Sequence, residues 1–182
     1  MSLVGDKLKS MRDESKPDPV AKIIRQLLQR ELAAVRRTVV AYPDEKSLWV
    51  ELKGLPNSGG TLALHLAGNL QHYFGARLGN TGYVRDRDAE FSRRHVPRAE
   101  LLAGLDAGAK AIDAGLGAIS TERWHAEYPE IVGGQKMSTE LWSTSLVSHL
   151  AYHLGQMDYH RRVVTGDPTG VGAVSAKELN TT

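Results

Sequence analysis

An all-α fold, specifically a four-helix bundle, is what this amino-acid sequence predicts. Three observations lead there. Apolar residues recur at three- and four-residue spacing in four separate stretches. Each stretch is bounded by cap, proline or glycine signals. Nothing reads as the alternating pattern of a half-buried strand.

The first helix is expected from about Asp18 to Ala41. Asp18 suits the cap position, and Pro19 the first helical position, where its missing N–H does no harm. Val20, Ile23, Ile24, Leu27, Leu28, Leu32, Val35 and Val39 form its apolar stripe, and Pro43 is a stop. The second is expected from near Ser58 to Leu78, opened by the turn-forming run Pro56-Asn57-Ser58-Gly59-Gly60. Its inward face reads Leu62, His65, Leu66, Asn69 and Tyr73.

The third begins at Pro97 and runs to about Ser120, with Leu101, Leu102, Leu105, Ile112, Leu116 and Ile119 as its stripe. Gly104, Gly108, Gly115 and Gly117 weaken it by up to about 1 kcal/mol each against alanine, and would let a neighbouring helix come close. The fourth runs from about Ser138, its cap, to Val164, and Gly166 and Pro168 end it. Its inward face reads Trp142, Leu146, His149, His153, Gln156 and His160. The links after the first and second helices, about 15 and about 17 residues, exceed the usual 2–8 of a bundle. A long link after the second helix permits a crossover that leaves helices two and three parallel.

Composition bounds the function. The 182 residues are 41% hydrophobic and 24% charged, enough for one domain with a real core. A net charge of +2, without a clustered basic face, gives no expectation of nucleic-acid binding. There is no cysteine, which excludes disulfides, zinc–thiolate sites and a cysteine nucleophile. The sequence has no bilayer-length apolar run and no apolar signal core at its start, so a cytoplasmic protein without membrane contact is expected. The expected organisation is a flexible segment over 1–17, the bundle over 18–166 and a loosely held tail over 167–182. A P-loop, a GxSxG elbow and a Rossmann fingerprint are all missing from the sequence.

The chemistry concentrates in His149-Leu150-Ala151-Tyr152-His153. Residues four apart share a helix face, so two imidazoles there can converge on one ion. The pair is not a zincin motif, because Leu150 rather than Glu follows His149. His65 on the second helix is the third candidate. Burying three imidazoles without partners is unfavourable, and one ion satisfies three acceptor nitrogens at once. His72 and His160 each lie seven residues beyond a candidate ligand, so either rivals His65 as the third. No Glu or Asp is expected on the inner face beside the ligands, and Asp158 reads as a surface charge.

These residues carry a resemblance. HLAGNLQHYFGARLG and SHLAYHLGQMDYHRRVVTG resemble the DinB/YfiT superfamily, which has one histidine in the second helix and an HxxxHxGQ pattern in the last. The resemblance spans about residues 18 to 166. It implies up-down-down-up topology, a zinc, nickel or similar divalent ion on His65, His149 and His153, and a homodimer.

Three neutral imidazoles would leave a coordination position open, the mark of a reactive rather than a structural site. Water or an external low-molecular-weight thiol could be activated there. Relatives in the superfamily include thiol-dependent S-transferases. The expected function is therefore a metal-dependent hydrolase or thiol-dependent S-transferase acting on a small molecule. The alternative is a non-catalytic, stress-associated metal-containing protein that binds a small ligand. Gln156 is expected to orient a ligand histidine or the open position, and Tyr73, Trp142, Tyr152 and Arg85 to wall the pocket.

Overall fold

The structure is a computed structural model that describes residues 15–180. Most of the expected flexible segment, residues 1–14, lies outside the described residues. Among the described residues there are six helices and no strand: α1 (Pro19–Ala41), α2 (Gly59–Leu70), α3 (Arg87–Ser92), α4 (Arg98–Leu116), α5 (Thr121–His125) and α6 (Thr139–Thr165). The four long ones are the four expected from periodicity. The short α3 and α5 were not expected.

Local chemistry sets the ends. The Asp18 carboxylate accepts from the Val20 and Ala21 amides at 2.8 and 3.1 Å, with Pro19 in the first turn. Ser58 caps α2 by accepting from Thr61, and Ser138 caps α6 by accepting from Leu141. Gly166 closes α6 at φ 70°, a left-handed conformation that favours glycine. At the end of α2 the helix widens into a π turn over Gln71–Ala76, which periodicity did not reveal.

The order of the helices follows from who meets whom. His125 lies against both Asp18 and Glu140, and Tyr42 meets His160, so α1 and α6 run parallel. Arg36 pairs with Asp106 and Arg25 with Asp113, so α1 and α4 are antiparallel. Gly104 faces Ala67, Gly108 faces Leu70 and Gly115 faces Phe74, so α2 and α4 are parallel. His65 meets His149 and Tyr73 meets Trp142, so α2 and α6 are antiparallel. The bundle is thus up-down-down-up.

Its core is built from Leu28, Leu32 and Val35 of α1, Leu66 and Leu70 of α2, Leu105 and Ile112 of α4, and Leu146 and Leu150 of α6. Two residues of the expected first stripe do not join it. Val20 and Ile23 are 43% and 54% exposed, because the buried face of α1 runs through Ala21 and Ile24 instead. Asp158 is not a surface charge either. It is buried and paired with Arg161 and Arg162. After α6 the chain returns to α1, where Arg37 donates to the carbonyls of Val171 (2.8 Å) and Gly172 (3.2 Å). No helix among the described residues is long and apolar enough to cross a membrane.

Candidate metal centre

The seam between α2 and α6 brings His65, His149 and His153 together. Their ring centroids lie 4.5 to 5.2 Å apart. One ring nitrogen from each falls within 4.8 Å of the others, so the three could hold a metal ion. His65 is buried, and the other two are half-buried. The spacing of His149 and His153 places them one turn apart on α6, and His65 reaches across from α2.

Two of the three histidines, His65 and His153, have a hydrogen-bond partner at Nδ1. His65 Nδ1 lies 3.0 Å from a Glu90 carboxylate oxygen, so Nδ1–H donates to it and, in the neutral tautomer this selects, Nε2 carries the lone pair. His153 Nδ1 lies 2.7 Å from Gln156 Oε1, which leaves its Nε2 free in the same way. Burial, followed by the neighbouring His153 and His65, pushes His149 down to about 4, so it is neutral at neutral pH. Burial also lowers His153, against the bond to Gln156.

Glu90 is the residue that sequence reasoning missed, and it corrects the expectation that no carboxylate stands beside the ligands. It belongs to α3, whose cap is Asp86 accepting from Ala89. Arg85 grips Glu90 with two bonds of 2.7 and 2.8 Å, and both side chains are buried. Burial alone would raise the Glu90 carboxyl. The bonds from Arg85 and His65 outweigh it and hold Glu90 below the usual carboxylate range. A signal for this existed in Gly68, one turn beyond His65. A Cβ there would sit 2.1 Å from Glu90 Oε1, so the glycine makes room for the carboxylate.

The remaining expected residues fall as follows. Arg85 stands at the centre, 5.6 Å from the Tyr73 ring, but its guanidinium is committed to Glu90. Tyr73 and Trp142 pack edge to face at 5.0 Å, toward the α5 end of the seam. Tyr152 is 64% exposed, with its ring 5.2 Å from His153. Phe91, not singled out in the sequence, covers His65 at 4.9 Å.

Neither rival histidine joins the three. His72 bonds Glu130 at 2.8 Å. His160 is buried, accepting from the Tyr42 hydroxyl at 2.7 Å and donating to the Val50 carbonyl at 2.9 Å. His125 pairs with Glu140 near the start of α6.

His160 has a consequence for pH. Burial, only partly offset by the Val50 bond, holds it below its ordinary value of 6.5. The folded protein then takes up this proton less readily than the unfolded chain. The stability it contributes is present above about pH 6.5 and is lost as pH falls below that. His149 and His153 are lowered too and act with the same sign in metal-free protein. Urea midpoints of metal-free protein should therefore fall from pH 7 to pH 5. His160→Gln should flatten that fall, and an unchanged slope would refute it.

The fold and this cluster define a class: a helical bundle with three histidines gathered on one interhelical seam. Residues 18–171 match the family model described as Protein of unknown function (DUF1572), and the chain belongs to that family, which is DinB/YfiT-like. No curated protein and no solved structure matches the chain.

Proposed function

We propose that His65, His149 and His153 bind one divalent metal ion, zinc or nickel. We further propose that the protein uses it as a hydrolase or a low-molecular-weight-thiol-dependent S-transferase on a small molecule. The observation that carries this reading is the convergence of three imidazoles, two of which have an acceptor at Nδ1 that turns Nε2 toward the others. The donor set fits the ion. His65 Nε2 and His149 Nε2 are 3.3 Å apart. Two nitrogens on a tetrahedral zinc, each at about 2.0–2.1 Å, would be about 3.3 Å apart.

When bound, the metal would supply Lewis acidity and favour the deprotonated form of a water or thiol. The chain's own residues do the rest. Glu90 keeps a proton on His65 Nδ1, and Gln156 keeps one on His153 Nδ1, so both rings present lone pairs inward. Phe91 packs against the His65 ring, and Tyr73 lies against Arg85. The non-catalytic reading draws support from one observation. Glu90, the carboxylate closest to hand, is held ionised by Arg85 and is a weak proton acceptor.

The test is elemental analysis of tag-free protein purified without a metal column, followed by zinc titration. About one metal per chain is expected, and none for His149→Ala. A His149→Ala protein that keeps one metal per chain would show the assignment to be wrong. Chelator-sensitive turnover of electrophilic substrates, with and without added thiols, separates the enzyme from the binder. Thermal stabilisation by metal without turnover would favour the binder.

A further inference from the structure

The α2–α6 seam does not end at the histidines. It continues into a groove of about 520 Å³, a size typical of small-molecule sites, which range over about 300–1,000 Å³. One wall is Leu55, Pro56 and Leu62, at the start of α2, and the other is Tyr152, Tyr159 and Val163 of α6. Leu55, Tyr152, Tyr159 and Val163 are 47%, 64%, 71% and 64% exposed. Apolar residues scattered singly on a surface need no explanation, but a contiguous concave set does.

The groove and the centre are joined by shared residues. Gln156, which holds the His153 proton, lines the groove, and so does Tyr152, whose ring meets His153. Leu62 lies three residues before His65, on the same face of α2. Gly155 also lines the groove, and a Cβ there would meet nothing within 4 Å, so a larger side chain has room to occupy it.

We infer that the ligand of this centre is an amphiphile, a small molecule with a polar, metal-seeking head at the histidines and a linear apolar tail in this groove. The inference rests on the proposed metal site and adds a substrate class to it. The trough is lined mainly by apolar and aromatic side chains. Of its polar members Asn57, Gln156 and His160, His160 is engaged with Tyr42 and Val50, and Gln156 touches a ligand histidine, which suits a molecule with its polar end at the histidines and an apolar remainder.

The experiment is calorimetric titration of zinc-loaded protein with acetohydroxamate and its butyro-, hexano- and octano- homologues. Affinity should rise about three- to fourfold per added methylene until the groove is filled. Gly155→Phe puts a ring at the groove lining, where there is space for it. It should still hold zinc while the chain-length gain collapses. A flat series on zinc-loaded wild type, or a gain that survives in Gly155→Phe, overturns the inference alone. If wild type holds no zinc, the metal reading fails first and the inference goes with it. If wild type is a dimer in sedimentation and Gly155→Phe splits it, the groove belongs to a second copy and the inference is overturned.

Discussion

Glu90→Ala is expected to weaken zinc binding about 10–100-fold. It should also destabilise the metal-free protein by about 3–5 kcal/mol. Two separate losses combine. His65 loses the acceptor that fixes its proton on Nδ1, so its ring no longer presents Nε2 without rearrangement. Arg85, with only about a tenth of its side chain exposed, is left as a buried cation without its carboxylate.

Glu90→Gln separates the two. It keeps an oxygen that can accept from His65, and gives up the charge that Arg85 requires. It should therefore retain more zinc affinity than Glu90→Ala while losing much of the stability. Gly68→Ala attacks the same arrangement from α2, because its methyl group would occupy the place of Glu90 Oε1. Zinc competition against a chromophoric chelator, paired with urea unfolding in EDTA, reads both effects. A Glu90→Ala protein that binds zinc within twofold of wild type would show that the carboxylate is only a structural partner of Arg85.

Gly115→Ala carries the second large effect, and its sign opposes helix propensity. Alanine is the better helix former by about 1 kcal/mol, so an isolated helix would gain. Here a Cβ on residue 115 would stand 2.6 Å from the carbonyl oxygen of Phe74, a backbone atom inside the π turn of α2. That oxygen also accepts from the Gly79 amide at 2.9 Å, so it cannot yield freely. The two helices must separate, and overpacking of this kind typically costs about 1–3 kcal/mol. Gly155→Ala is the internal control: the space around it is open, so it should stabilise by up to about 1 kcal/mol. Thermal unfolding of both variants decides the matter, and equal shifts of the same sign would dismiss the close-approach argument.

The long helices were legible because each carries an apolar stripe and a capped start, as with Asp18-Pro19 and Ser138. The convergence of His149 and His153 was legible from four-residue spacing alone. His65 was not separable from His72 by periodicity, since both lie on one side of an ideal helix. The π turn that begins at Gln71 places His72 against Glu130 instead. Glu90 was out of reach because it sits in a link, where no period ties it to the bundle interior. Its six-residue helix is too short for an apolar stripe to stand out. Gly68 held the complementary clue, but a glycine in a helix reads as weakness until its neighbour is known.

The parallel pairing of α2 with α4 has an effect that reaches the chemistry. After α2 the chain must retrace the length of the bundle before α4 can start in the same direction, and the 19 residues of α4 correspond to about 28 Å. Adjacent antiparallel helices would be joined by a short turn with no residues to spare. The return path here packs along α2, and Arg85, Glu90 and Phe91 lie on it beside His65. The connectivity that this topology imposes is thus also the supply line for the residues that fix and cover His65.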